Sequence, residues 1–105
     1  MFDERIKKIA DKYGFESQSR QLIEEMAELM VAVNKYYRLK DDFCITPKVC
    51  LDNKYLLEHI SEEIADVTIM LEQIKYLLQI DDSEVECFIK QKLERQIERI
   101  EEKWD

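Results

Sequence analysis

Residues 56–78 read LLEHISEEIADVTIMLEQIKYLL, and this stretch decides the fold. Apolar side chains recur in it every three or four residues, which is the spacing of one face of an α-helix. They are Leu56, Ile60, Ile64, Val67, Met70, Leu71, Ile74, Leu77 and Leu78. The pattern predicts a long amphipathic helix that covers roughly residues Lys54 to Gln79.

The same spacing predicts three further helices, which cover roughly residues 3–13, 17–39 and 83–103. Gly14 is placed to end the first of them. Ser83-Glu84-Val85-Glu86 has the form of a capping box at the start of the last. The segment Asp41–Asn53, which holds Pro47, is expected to be irregular.

Composition supports an all-helical chain. Its 105 residues contain one glycine and one proline, too few for the tight turns of a sheet protein, and 46% of the residues are hydrophobic. We therefore expect a single all-α domain, residues 1–105, that resembles a four-helix bundle. A P-loop or dinucleotide-binding loop is excluded, because each needs several glycines in one loop.

Charge and cysteine content limit the class of partner. The net charge of −8 argues against a nucleic-acid polymer, whose backbone is bound by clustered lysine and arginine. The longest stretch without a charged residue has six residues, far short of a membrane span or a signal peptide, so we expect a cytoplasmic protein. The odd number of cysteines, Cys44, Cys50 and Cys87, favours reduced thiols, and their spacing with His59 matches no common zinc site.

Glu63 is the main anomaly of the sequence. It falls in the middle of the apolar face of residues 54–79, between the rows of Met70 and Val67, while His59 and Asp66 flank that face. A charged carboxylate at such a position costs several kcal/mol unless a cation or hydrogen bonds compensate it. The position therefore indicates a site.

Two acidic pairs on successive helices can form that site. Glu25 and Glu28 are three residues apart, as are Glu63 and Asp66, and residues at this spacing are neighbours on a helix surface. Four converging carboxylates suit Mg²⁺ or Mn²⁺. The alternative is that these groups are solvated and pair with nearby cations, namely Lys35, Arg38, Lys92 and Arg99.

The order of the two motifs resembles a known family. Residues 24–28, EEMAE, have the form E-E-x-x-E, and residues 63–66, EIAD, have the form E-x-x-D. Together they are similar to the MazG-like nucleoside triphosphate pyrophosphohydrolases of the all-α NTP pyrophosphatase superfamily. The resemblance extends over nearly the whole chain, although 34 residues separate Glu28 from Glu63, more than is usual in that family.

The resemblance implies a function for individual residues. Glu25, Glu28, Glu63 and Asp66 take the positions of ligands to Mg²⁺, with Mn²⁺ as a possible substitute, and Glu24 and Glu25 take catalytic positions. Substrate-binding positions on the last helix are Lys92, Arg95 and Arg99. The implied reaction is cleavage of a nucleoside triphosphate to the monophosphate and pyrophosphate, in a house-cleaning or nucleotide-pool role.

Two other functions remain open. A carboxylate-bridged di-iron or di-manganese bundle would use His59, four residues before Glu63, but such bundles usually contain two E-x-x-H motifs, which this sequence lacks. A non-catalytic helical interaction module would leave the acidic residues without a chemical role.

Secondary apolar positions predict self-association. Ala65, Ile69 and Tyr76 form a second line on their helix, and Val31 and Cys87 also point away from the main apolar faces of theirs. Exposed apolar lines often mark subunit contacts. The resemblance likewise implies a homodimer or homotetramer.

Overall fold

The fold is all-α, as predicted. The computed structural model describes residues 3–41 and 47–102, with side chains for residues 3–38 and 54–102. These described ranges contain three helices in succession, α1 (Glu4–Asp41), α2 (Pro47–Leu78) and α3 (Asp82–Glu102). The described ranges contain no strand.

Gly14 interrupts helical geometry inside α1. Its backbone has φ 82° and ψ 170°, a conformation that is accessible essentially to glycine alone. The predicted end of the first helix at Gly14 is therefore confirmed. The chain returns to helix on both sides of this one residue, so the first two predicted helices form one kinked element instead of two separate ones.

We expect Gly14→Ala to destabilise the protein by about 1–3 kcal/mol. The cost comes from the backbone, because a Cβ at this position would meet no atom within 4 Å. Urea unfolding followed by circular dichroism measures the change. A variant as stable as the wild type would show that the kink is not fixed by this conformation.

The prediction of an irregular segment over Asp41–Asn53 is wrong for its described residues, 41 and 47–53, which are all helical. Asp41 is the last residue of α1, and residues 47–53 form the first turns of α2. Pro47 is the first residue of that helix, where its missing N–H is not needed and its fixed φ suits helix entry. Proline therefore begins a helix here. Cys44 lies outside the described residues.

The residue that caps the start of α3 is not the one predicted. Asp81 caps α3, since its side chain accepts a hydrogen bond from the Ser83 N–H at 3.2 Å and its carbonyl accepts from Glu84 and Val85. The predicted capping box at Ser83 is wrong, because Ser83 already lies inside the helix. At the end of α2, Gln79 adopts a positive φ of 57°. The Ile80 N–H donates a hydrogen bond to the Lys75 carbonyl, which satisfies one of the last carbonyl groups of that helix.

Helices α1 and α2 pack along each other, whereas α3 contributes no buried residue. Gln18 contacts Gln73, and Asp11 contacts Tyr76, so the two helices run antiparallel. Tyr76 is predicted to lie on an exposed apolar line, but it is half-buried and its hydroxyl donates to Asp11 at 2.9 Å. The described apolar residues that are buried are few and mostly small: Ala10, Ala32 and Met70.

Much of the apolar face predicted for α1, and most of that predicted for α3, is exposed in the single chain. On α1, Ile23 and Met30 are 66% and 65% exposed, and on α3, Leu93 and Ile97 are 54% and 53% exposed. Side chains of this type lower the free energy of a protein when they are removed from water. A single chain therefore buries only part of its apolar side chains.

A pair of amides fixes how α1 and α2 align. The Gln18 side-chain N–H donates to Gln73 Oε1 at 2.7 Å, and both side chains are buried. The Gln73 amide also approaches the Met70 sulfur at 3.7 Å. Because a shift of either helix would leave buried amide groups without partners, this pair favours one register.

We expect Gln73→Leu to cost about 1–3 kcal/mol, since it removes the acceptor of the buried Gln18 amide. Changing Gln18 to leucine as well should recover much of the loss, because no buried polar group then lacks a partner. Denaturant unfolding of both variants measures the difference. Equal losses for the single and double variants would contradict the pairing.

Candidate metal centre

Three glutamates from the two packed helices converge. Glu25 and Glu28 lie one turn apart on α1, and Glu63 lies opposite them on α2. Each offers a carboxylate oxygen, and the three oxygens lie within 4.8 Å of one another. Glu63 is buried, Glu25 is half-buried and Glu28 is exposed, so the cluster opens to solvent on one side.

Two carboxylate oxygens of this cluster are buried without a hydrogen-bond partner. They are Oε2 of Glu25 and Oε2 of Glu63. An unpaired buried carboxylate oxygen is costly, and most buried polar atoms in folded proteins have a partner. Carboxylate oxygens are the ligands that Mg²⁺ and Mn²⁺ prefer. These residues therefore fit a divalent cation.

The electrostatics of the cluster are those of crowded like charges. The charge of Glu25 is the main reason that the pKa of Glu28 is raised above its usual value, with partial desolvation and the charge of Glu63 adding to the effect. Without a cation, the repulsion therefore favours protonation of Glu28 at a higher pH than is usual for a glutamate. A divalent cation would relieve it for all three groups at once.

His59 lies beside the cluster. Its Nε2 atom is 3.7 Å from Oε1 of Glu63, one turn further along α2. Its ring is parallel to that of Tyr55, with the ring centroids 6.3 Å apart. His59 does not belong to the group of oxygens within 4.8 Å, so it borders the cluster without being part of it.

Asp66 and Glu24 lie outside the converging group. Asp66 is exposed and is not among the residues whose carboxylate oxygens lie within 4.8 Å of one another. Glu24 is exposed and lines a shallow groove on α1 with Tyr13 and Arg20. Their roles as ligand and catalytic group stay predictions.

The predicted phosphate-binding cations lie on the surface of α3, and their substrate-binding role stays a prediction. Lys92, Arg95 and Arg99 are all exposed on α3. In the described part of the chain, no ion pair joins the three glutamates to a lysine or arginine, including Lys35 and Arg38. Among residues 3–38 and 54–102, no contact therefore supports the alternative that these carboxylates are paired with lysine or arginine.

Sequence reasoning missed one polar residue that touches the cluster. The Gln21 side-chain N–H donates to Oε1 of Glu25 at 2.8 Å. Its position four residues before Glu25 is the signal that could have revealed it, since such residues are neighbours on a helix.

Comparison of the chain with protein-family models, with curated proteins and with solved structures returned no match. Among the described residues, no helix combines the length and the apolar character that crossing a membrane requires.

Proposed function

We propose that this chain is a magnesium-dependent nucleotide pyrophosphohydrolase that cleaves an NTP or dNTP to the monophosphate and pyrophosphate. The observation that carries the proposal is the cluster of Glu25, Glu28 and Glu63, in which two buried oxygens lack a partner. The order of the two acidic motifs, similar to that of the MazG-like enzymes, supports the choice of reaction. The proposed role is control of the cytoplasmic nucleotide pool.

In this proposal Glu25, Glu28 and Glu63 hold Mg²⁺ or Mn²⁺, and Asp66 extends the acidic edge toward solvent. When bound, the cation neutralises phosphate charge and lowers the pKa of a coordinated water. Glu24 and Glu25 supply carboxylates beside the reacting phosphate, where one can accept a proton from water. The exposed side of the cluster, at Glu28, gives the triphosphate access.

We further propose that the active form is a homodimer or homotetramer. The accessible surface of the chain is 8840 Å², whereas a folded monomer of 12.7 kDa exposes about 6,200 Å². Over two chains this excess is about 5,200 Å², which is at the upper end of the total area that obligate interfaces bury. In such an assembly, Lys92, Arg95 and Arg99 of one copy would be able to approach the three glutamates of another copy.

The apolar stripes of α1 and α3 are the surfaces proposed to meet. Both are exposed along several turns: Ile23, Met26, Met30 and Val33 on α1, and Ile89, Leu93, Ile97 and Ile100 on α3. Packing these stripes between copies would complete the helical bundle that one chain leaves open.

Incubation with a panel of nucleotides and Mg²⁺, followed by identification of the phosphate products, tests the reaction. Monophosphate plus pyrophosphate is the expected result. Orthophosphate alone would indicate a phosphatase, and no turnover with any nucleotide would favour the non-catalytic interaction module.

A second candidate is a carboxylate-bridged di-iron or di-manganese centre. His59 favours this candidate, because its Nε2 atom lies 3.7 Å from Oε1 of Glu63 and imidazole is a good ligand for iron. The carboxylates of the cluster are suitable ligands for manganese. Bound iron and a visible absorption band in the purified protein would support this centre over the magnesium enzyme.

A further inference from the structure

Gln21 is a feature of the site that the proposed reaction does not use. It lies on α1 one turn before Glu25 and is half-buried beside it. Its side-chain N–H donates to Oε1 of Glu25 at 2.8 Å, while Oε2 of the same carboxylate is buried without a partner. One oxygen of Glu25 is thus held by the protein, and the other remains available.

We propose that Gln21 is a positioning residue, which holds Oε1 of Glu25 so that Oε2 is presented as a ligand for the divalent cation. This inference rests on the proposed function, since it assigns a partner to one of its ligands. Ligating carboxylates are usually hydrogen-bonded by residues that do not touch the metal, and losing such a partner weakens metal binding about 10–100-fold.

Glu63 has a similar arrangement, in which one carboxylate oxygen faces a neighbouring side chain and the other has no partner. Its Oε1 atom faces His59 Nε2 at 3.7 Å, and its Oε2 atom is buried without a partner. In both cases the neighbour lies four residues before the glutamate on the same helix. The contact of Gln21 is the closer of the two, and it joins neutral and charged groups, which strengthens the hydrogen bond.

The purely structural alternative is that Gln21 only supports its own helix. A glutamine paired with a residue four positions away stabilises an isolated helix by about 0.2–0.5 kcal/mol. Such a role would change the stability of the metal-free protein slightly and would leave metal affinity unchanged. Metal affinity therefore separates the two roles.

The test is titration of the metal-free protein with Mn²⁺, with free Mn²⁺ measured by electron paramagnetic resonance. Gln21→Met removes the N–H donor and keeps the length of the side chain, and Gln21→Leu provides a second variant if the first folds poorly. We expect Mn²⁺ to bind about 10–100-fold more weakly to either variant, with little change in the melting temperature of the metal-free protein.

Gln91→Met is the matched control. Gln91 also contacts a residue four positions away, the Cys87 sulfur at 3.6 Å, but it lies on α3. We expect this control to bind Mn²⁺ as the wild type does. Equal Mn²⁺ affinities for the wild type and both Gln21 variants would overturn the role of Gln21 alone, and no Mn²⁺ binding by the wild type would overturn the metal site as well.

Discussion

Replacing Glu63 with glutamine should abolish hydrolysis and leave the metal-free protein as stable as the wild type or more stable. The carboxylate is buried, has one oxygen without a partner and lies within 4.8 Å of Glu25 and Glu28, so removing its charge relieves repulsion. A metal ligand contributes several kcal/mol to the stabilisation of phosphate charge in the transition state. Activity should therefore fall about 1,000-fold or more.

Thermal melts with chelator and with Mg²⁺ measure the other half of this prediction. Mg²⁺ at about 100 times its dissociation constant should stabilise the wild type by about 2.7 kcal/mol, and this gain should shrink sharply in Glu63→Gln. Glu62→Gln is the matched control, because it makes the same charge change at the exposed neighbouring residue. A large loss of stability in chelator for Glu63→Gln would overturn the ligand role, because it would mean that the charge has a structural partner.

Placing a charge in the apolar stripe of α3 should dissociate the proposed oligomer. Leu93 is 54% exposed in the single chain and lies in line with Ile89 and Ile97. In a symmetric dimer Leu93→Glu removes two apolar contacts, each worth about 2 kcal/mol, and introduces two carboxylates into the interface. The dissociation constant should rise about 1,000-fold or more.

Sedimentation equilibrium over a range of micromolar concentrations measures this change. Gln91→Glu is the matched control, since it adds the same charge two residues away, on the opposite side of α3. We expect the control to sediment as the wild-type oligomer and Leu93→Glu as a monomer with reduced helicity. A wild-type monomer at high micromolar concentration would contradict the proposed assembly.

The sequence determined where the helices lie, because helix formation depends on local spacing and on a few special residues. The stretch 56–78 predicted the central helix, and the break at Gly14 was predicted from a residue that tolerates positive φ. The burial of Glu63 was also predicted, because a position in the middle of an apolar row keeps its place when the helix packs. The start of two helices was predicted wrongly: the segment that holds Pro47 was expected to be irregular but begins α2, and Asp81 caps α3 in place of Ser83.

Only the tertiary structure decided which of these residues meet. The periodicity of a helix gives the direction of a side chain but not the register of the neighbouring helix, and that register depends on contacts such as Gln18 with Gln73. It brought Glu63 to Glu25 and Glu28 and left Asp66 outside, although the spacing of all four is equally regular. It likewise left α3 without a buried residue, because whether an apolar stripe is covered depends on the partner surface as well as on its own sequence.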